Sequence, residues 1–220
     1  MKHNQLPPYC PLFLNIRGKK CLVVGGGTVA LRKIEALLKH GAQVEIISPV
    51  LCPRLNQLVE SEAIHWLRRD YQMGDLKDAL LAIATTDDVK TNERIAEEAR
   101  QRKILVNVVD NPQLSDFIVP SYFNRGNIAI AVSTSGRSPA LARKLRSQLE
   151  REVGIEYAQL TLIVEEVRFE LKQQGVSIDS DTWQKALDLD LLIKLVKAGR
   201  TQEARNTLFN DLKVHGQSKQ

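Results

Sequence analysis

Cysteine, histidine and aromatic residues are scarce in this sequence of 220 residues. Its three cysteines, Cys10, Cys21 and Cys52, are odd in number and lack CxxC spacing, which excludes a disulfide framework. The four histidines are scattered, so the sequence shows no ligand cluster of the kind that binds structural zinc. Aromatic residues make up only 5% of the chain and do not interleave with basic residues, which argues against stacking on nucleic-acid bases.

Long apolar runs are also missing. No stretch approaches the roughly 18–20 apolar residues that cross a bilayer, and Met1–Pro8 lacks the apolar core of a signal peptide. We therefore expect a cytoplasmic protein. The excess of positive charge is modest at +5, which is compatible with nucleic acid, with an acidic metabolite or with no charged partner.

Proline and glycine are unevenly distributed along the chain. All eight prolines lie at or before Pro139, and only four of the twelve glycines follow Gly136. Before about residue 110, apolar strand and helix patterns alternate as in βαβ units, which predicts a parallel sheet. Strands are predicted at 21–24, 44–47, 64–67, 80–84, 104–109, 117–120 and 128–133. Helices are predicted at 28–40, 51–60, 88–102, 138–152, 155–174, 182–197 and 201–212. The composition thus predicts an α/β domain followed by a helical region.

The glycine-rich stretch after the first predicted strand fits the pattern G-x-G-x-x-A. Gly25 allows a tight turn, Gly27 lets the backbone approach a pyrophosphate, and Ala30 is small enough for close packing of helix on strand. The N-terminus of the following helix offers free N–H groups to an anion. The pattern predicts dinucleotide binding, with a purely structural turn as the alternative.

The acidic residue that binds the ribose of NAD is missing from the end of the second predicted strand. Ser48, Pro49 and Val50 stand there instead. The Ser48 hydroxyl could accept a hydrogen bond from the ribose, and no arginine stands beside it to demand a 2′-phosphate. These residues leave the choice between NAD and NADP open.

Polar residues follow the fourth and fifth predicted strands, where loops of a parallel sheet face the ligand. Thr85 and Thr86 are candidates for contact with the cofactor, whereas Asp87 or Asp88 could equally cap the next helix. Asp110 could accept a proton at this edge. The alternative for Asp110 is a turn-forming role, because Asp and Asn favour turns before proline.

A loop of hydroxyl residues leads into a basic helix near residue 140. Ser133–Pro139 provides hydroxyls, a glycine, and a Ser-Pro pair that predicts the start of a helix. Arg143, Lys144 and Arg146 follow on that helix. The combination suits an anion, and a solvated basic face is the alternative.

Taken together, these motifs resemble one family. They comprise Pro11-Leu12-Phe13-Leu14-Asn15-Ile16, the loop 25–30 with Arg32-Lys33, and the segments 84–88, 107–110, 117–120 and 133–142. Their order and spacing closely resemble precorrin-2 dehydrogenase, the N-terminal half of siroheme synthase, some members of which are also sirohydrochlorin ferrochelatases. The match is strong over about residues 8–150 and loose over the last 70 residues.

The resemblance implies a fold and a reaction. The fold would be a Rossmann-type parallel sheet domain at 1–112, a small β dimerisation segment that also carries the substrate site at 113–150, and a helical C-terminal domain at 151–220. The reaction would be NAD-dependent oxidation of precorrin-2 to sirohydrochlorin in siroheme synthesis, with insertion of Fe²⁺ as a possible second activity. It also implies a homodimer. An apolar row on the long helix after Glu150, consisting of Leu160, Ile163, Val167 and Leu171, suggests a surface that needs a partner.

The resemblance also assigns residues. Asp110 matches the family's key catalytic aspartate, and Thr28, Val29, Pro49 and Val50 match positions that contact the cofactor. The tetrapyrrole substrate carries many carboxylates, which gives a task to the basic residues. The predicted substrate-binding residues are Asn107, Arg125, Thr134, Ser135, Arg137 and Arg143, with Lys144 nearby. Thr134 stands where some siroheme synthases carry a serine that can be phosphorylated, so that form of regulation is not predicted.

A regulatory module that senses NAD without catalysis is the alternative function. Such modules, like those attached to potassium channels, also carry a glycine loop and a Thr-Asp-Asp segment. They would keep an acid after the second strand, which this sequence lacks. They also give no reason for the 107–110 segment or the 133–139 loop.

Overall fold

The computed structural model describes residues 9–217, with side chains described as far as residue 214. The predicted absence of a signal peptide concerns residues 1–8, which lie outside the described part. The chain divides into two compact units, residues 1–119 and 120–220. The finer division at residues 112 and 150 stays a prediction.

The first unit contains a five-stranded parallel sheet in the order β3-β2-β1-β4-β5. Its strands are β1 Lys20–Val24, β2 Gln43–Ile47, β3 His65–Leu67, β4 Leu81–Ala84 and β5 Leu105–Val108. Its helices are α1 Thr28–Lys39, α2 Pro53–Glu60 and α3 Val89–Arg102, and a short 3₁₀ helix follows at Pro112–Leu114. The predicted α/β fold with a Rossmann-type sheet is confirmed.

Apolar side chains cover both faces of this sheet. Along β1, Val23 joins the cluster beneath α1, whereas Leu22 and Val24 join the cluster beneath α3. All four residues of β4 are buried, as expected of a central parallel strand. A sheet covered on both faces leaves its strand ends as the open edges where a ligand can bind.

The second unit begins with a hairpin and continues as helices. The antiparallel strands β6 Ser121–Arg125 and β7 Ile128–Val132 form the hairpin. The helices are α4 Pro139–Glu152, α5 Ile155–Gln173, α6 Ser180–Ala186, α7 Leu189–Lys197 and α8 Thr201–Gln217. No helix among the described residues combines the length and the apolar character that crossing a membrane requires.

The apolar row on α5 is covered by the chain itself. Leu160, Ile163, Val167 and Leu171 are buried in one cluster with residues of α7 and α8. The inference that this row needs a partner surface is therefore wrong, because neighbouring helices of the same unit already bury it.

Three predicted elements differ from the observed ones. Residues 117–120 form no strand, because no strand of the described structure pairs with them and the Phe117 carbonyl accepts instead from the Asn107 side chain. The helix predicted at 182–197 is two helices, since the Asp188 carboxylate accepts a hydrogen bond from Leu191 N–H at 3.1 Å and starts α7 afresh. The last helix runs to residue 217, beyond the predicted end at residue 212.

Candidate functional site

The carboxyl ends of the central strands lie side by side at one edge of the sheet. In register, Val24 stands beside Ile47 on one side and Ala84 on the other, and Ala84 stands beside Val108. From β1 the strand order proceeds in opposite directions towards β2 and β4, which is the switch point where open α/β sheets bind ligands. The predicted cofactor residues and Asp110 all follow these strand ends.

The loop after β1 uses each of its three glycines differently. Gly25 has a φ of +112°, and a Cβ there would stand 2.5 Å from Thr85 Oγ1. A Cβ at Gly26 would stand 1.9 Å from the Val50 carbonyl oxygen. Gly27 is exposed, and a Cβ there would meet nothing within 4 Å. The first two glycines therefore serve close packing, and the third leaves open space beside the backbone.

Helix α1 begins at this open space without a side-chain cap. Gly27 is its N-cap residue, no side chain accepts a hydrogen bond from its first turn, and that turn contains no acidic residue. Helix α3 differs, because the Asp88 carboxylate accepts from the N–H groups of Lys90 and Thr91, both at 3.2 Å. Uncapped N–H groups and the positive end of the helix dipole at α1 suit an anion such as a pyrophosphate.

The segment after β2 packs against the glycine loop. The Ser48 hydroxyl is buried and donates to the Val50 carbonyl at 2.7 Å, so its lone pairs are what it can offer to a ribose. Pro49 and Val50 are exposed, and Val50 is 72% exposed. Two exposed apolar side chains beside the glycine loop could cover the apolar face of a nucleotide base.

The two threonines after β4 already have partners within the first unit. Thr85 Oγ1 donates to the Val24 carbonyl at 2.9 Å and so ties the loop to the end of β1. Thr86 Oγ1 donates to Asn92 Oδ1 at 2.8 Å at the start of α3. Asp88 caps α3 and Asp87 does not, which confirms the prediction that one of these two aspartates caps the helix.

Asp110 occupies a turn directly after β5. Its side chain is exposed, and its backbone adopts a left-handed φ of 60°. The ammonium of Lys33 on α1 interacts with its charge. Burial lowers the pKa of Lys33, the neighbouring Arg32 lowers it further, and the Asp110 carboxylate opposes both effects. The Asp110 carboxylate and the half-buried Lys33 ammonium therefore lie near the same end of the sheet.

Asn107 lies on β5 with its side chain directed to the segment that follows. Asn107 is buried, and its amide group donates to the Phe117 carbonyl at 2.9 Å. This bond gives Asn107 a structural task whether or not it also contacts substrate.

The remaining predicted substrate residues lie in the second unit. Thr134 Oγ1 accepts from Ser138 N–H at 3.0 Å, and Ser135 has a left-handed φ of 52° in the same turn. Ser138 caps α4 by accepting from Leu141 N–H at 3.2 Å, as predicted. Arg137 and Arg143 are exposed beside this helix start, and within the described chain neither pairs with a carboxylate. The turn therefore presents two unpaired cations at a helix N-terminus.

Arg125 is engaged elsewhere in that unit. Its guanidinium lies 3.4 Å from Glu150 Oε1 and donates to the Glu150 backbone carbonyl at 3.2 Å. Glu150 also pairs with Arg146. Among the predicted substrate-binding arginines, Arg125 is thus the one that pairs with a carboxylate, which it shares with Arg146.

Comparison with known families decides what kind of sheet domain this is. Residues 12–121, half of the chain, match the family described as putative NAD(P)-binding. The chain belongs to this NAD(P)-binding family. Residues 125–152 match a second family, described as the central part of a sirohaem biosynthesis protein.

Similar proteins of known name connect this NAD(P)-binding chain with siroheme synthases. The chain is 41% identical over 208 residues to a siroheme synthase of Thioalkalivibrio sulfidiphilus, covering 94% of this chain and 42% of that protein. It is 39% identical over 202 residues to a siroheme synthase of Nitrosococcus oceani, covering 91% of this chain and 43% of that protein. The chain therefore spans about two fifths of the length of these relatives, and the resemblance to siroheme synthase is confirmed.

A solved structure shares the fold of this NAD(P)-binding protein. The precorrin-2 dehydrogenase SirC superposes with a TM-score of 0.65 at 22% identity, covering 93% of this chain and 99% of that one. At this identity the likeness shows the fold alone.

Three residues of the site were not assigned from the sequence. Gly26 is the variable position of the glycine pattern, although the Val50 carbonyl makes it the most tightly packed of the three. Lys33 was part of the family pattern without a role, and its half-buried position was the missing signal. Asp116 is the third, and its bonds depend on a strand ten residues earlier. Among the described residues, no three His, Cys, Asp or Glu side chains are grouped to hold a metal ion.

Proposed function

We propose that this chain oxidises precorrin-2 to sirohydrochlorin with NAD as the cofactor. The observation that carries the proposal is the uncapped start of α1 at the same sheet edge as Asp110. One feature suits the pyrophosphate of a dinucleotide, and the other supplies a carboxylate where the chemistry would occur. The match to relatives named siroheme synthase supports the substrate.

The residues present fit the proposed cofactor. The space beside Gly27 and the free N–H groups of α1 would hold the pyrophosphate, and the segment 48–50 would lie beside the adenosine. Thr28 and Val29 form the first turn of α1, and Thr85 and Thr86 line the neighbouring strand end. When bound, nicotinamide supplies a hydride acceptor.

Asp110 would receive the proton that leaves together with the hydride. Aromatising a reduced tetrapyrrole removes one hydride and one proton, so a base is needed as well as the cofactor. Asp110 is exposed and therefore accessible to a substrate. The charge of Lys33 on α1 lies close enough to interact with the Asp110 carboxylate.

The acidic groups of the substrate would bind to the second unit. Arg137 and Arg143 offer charge-assisted hydrogen bonds to carboxylates, and Thr134 and Ser135 add hydroxyls in the same turn. Arg125 would contribute only by exchanging its bond with Glu150. A homodimer and Fe²⁺ as a second substrate, which the family resemblance implies, remain parts of this proposal. So does the cytoplasmic location expected from the sequence.

Exchange of the base tests the proposal. In Asp110→Asn the side chain keeps its size and loses its basicity, so we expect oxidation of precorrin-2 to fall by roughly 10²–10⁴-fold. The rate is followed by the absorbance of sirohydrochlorin in the absence of oxygen. Calorimetry should show an unchanged affinity for NAD, because the glycine loop is untouched.

Two outcomes would contradict the proposal. If the wild-type protein binds NAD but does not oxidise precorrin-2, the chain is a binding module and not an enzyme. Near-normal turnover by Asp110→Asn would reduce Asp110 to a turn-forming residue.

A further inference from the structure

Strand β5 is an edge strand whose free side is occupied by a short returning segment. Asp116 pairs with both backbone groups of Val106: its N–H donates to the Val106 carbonyl at 2.8 Å, and its Oδ2 accepts from Val106 N–H at 3.0 Å. The side chain and backbone of one residue thus complete the hydrogen bonding of β5 at that position.

Ser115 makes the equivalent connection one step nearer the strand end. Its hydroxyl accepts from Val108 N–H at 2.9 Å and lies 2.8 Å from the carbonyl oxygen of Asn111 and 3.2 Å from that of Val108. Asn111 N–H in turn donates to the Val108 carbonyl at 3.1 Å. The chain therefore leaves β5, turns, and is fastened back to β5 within a few residues.

Asp110 lies inside the loop that these bonds close. Its φ of 60° is a left-handed conformation, which aspartate adopts in tight turns more readily than most residues. The bonds from Asp116 and Ser115 fix both ends of the loop to the same strand. Ser115 and Asp116 therefore constrain the backbone of the turn that carries Asp110.

We propose that Asp116, assisted by Ser115, is a positioning residue that holds Asp110 in place for proton transfer by closing the 108–116 loop onto β5. The inference rests on the proposed function, because it assumes that Asp110 is the base. The carboxylate of Asp116 acts as a hydrogen-bond acceptor and not as a charge or a base.

The choice of substitution separates these roles. Asp116→Asn keeps an oxygen that can accept from Val106 N–H, whereas Asp116→Ala removes it. If Asp116 only positions the loop, we expect Asp116→Asn to keep near-normal kcat. Asp116→Ala should lower kcat by roughly 10–100-fold with little change in KM, since small displacements of a catalytic group are costly. Both variants should bind NAD as the wild type does.

A matched control and a second variant guard against loss of the fold. Asp188→Ala removes another carboxylate that accepts from a backbone N–H, at the start of α7, and should leave turnover unchanged. Ser115→Ala should lower kcat in the same direction as Asp116→Ala, and it serves as the test if Asp116→Ala fails to fold.

Three results would overturn the inference. Equal loss in Asp116→Asn and Asp116→Ala would show that the charge of Asp116 matters, as it would for a base. Full turnover in both Asp116→Ala and Ser115→Ala would show that the hydrogen bonds between this loop and β5 are not needed for catalysis. Parallel loss of NAD affinity and kcat would indicate general damage. If Asp110→Asn is itself active, the proposed role of Asp110 fails first, and the two failures are distinguishable.

Discussion

Adjacent glycines in the loop after β1 carry opposite constraints. A Cβ on Gly26 would stand 1.9 Å from the Val50 carbonyl, whereas one on Gly27 would meet nothing within 4 Å. Gly26 is therefore needed by the fold, and Gly27 is needed only if something else occupies the space beside it.

Gly27→Asp separates binding from stability. Aspartate is a favoured N-cap residue, and Gly27 caps α1, so the variant should be as stable as the wild type or slightly more stable. Its carboxylate would occupy the proposed pyrophosphate site and repel its charge, so calorimetry should detect no NAD binding. Gly26→Ala is the contrasting control and should lower the melting temperature. Unchanged NAD affinity in Gly27→Asp would overturn the site.

The unpaired arginines of the second unit predict a different kinetic effect. Arg137→Ala and Arg143→Ala should each raise KM for the tetrapyrrole roughly tenfold, which is the loss of one hydrogen bond to a charged group. NAD affinity should stay unchanged. Arg151→Ala, which removes another exposed cation at the far end of α4, is the control and should leave KM unaltered. A KM that does not respond to either substitution would place the substrate's acidic groups elsewhere.

Residues whose role depends on local backbone could be predicted, and those whose role depends on distant neighbours could not. The glycine pattern and the Ser138 cap each depend on only a few consecutive residues, and Ser138 does cap its helix. The role of Asp116 could not be predicted, because its bonds to Val106 arise only when the chain returns along β5. The Arg125 bond to Glu150 joins residues 25 positions apart.

At the scale of elements, helix α3 is fastened to the segment that precedes β4. Glu98 is buried on α3 and accepts from Gly74 N–H at 2.9 Å, from Arg102 at 2.6 Å and from the Tyr71 hydroxyl. Burial alone would raise the pKa of Glu98, but these hydrogen bonds outweigh it and lower the pKa below its usual value. One carboxylate therefore joins two segments that are distant in sequence.

This network predicts a pH-dependent stability. The lowered pKa of Glu98 means that its stabilisation is present above the unfolded value of about 4.3 and is lost as the pH falls through the folded value. Glu98→Gln should lose roughly 1–3 kcal/mol at pH 7 and should lose less additional stability than the wild type between pH 7 and pH 3. Urea unfolding at both pH values measures this. The exposed neighbour Glu97→Gln is the control, and equal stability of Glu98→Gln and wild type at pH 7 would contradict it.

Periodicity predicted nearly all of the elements, and the exceptions share a cause. The apolar spacing runs without a break through residues 182–197, so it does not show that Asp188 caps a new helix, α7. The apolar residues 117–120 suggested a strand, although no neighbouring strand pairs with them in the described structure. Both errors concern hydrogen-bond partners, a neighbouring strand in one case and a capping carboxylate in the other, and apolar periodicity does not show these.

At the scale of the whole molecule, the helical region provides its own core. The cluster formed by α5, α7 and α8 buries the row on α5 that first suggested a partner. The proposed homodimer must therefore use another surface. Within the predicted dimerisation segment, Leu141 and Leu145 lie one turn apart on α4 and are 50% and 40% exposed. We predict that this pair of exposed leucines belongs to the dimer interface.

Light scattering tests this surface directly. We expect the wild type at micromolar concentration to have twice the chain mass of 24.7 kDa. Leu145→Glu should shift it towards the monomer, because the interface would have to bury an unpaired carboxylate. Leu162→Glu is the control, since Leu162 is 52% exposed on α5 outside the predicted segment and should leave the dimer intact. A wild-type monomer would remove the homodimer from the proposal, and a dimer that persists in Leu145→Glu would move its interface away from this face of α4.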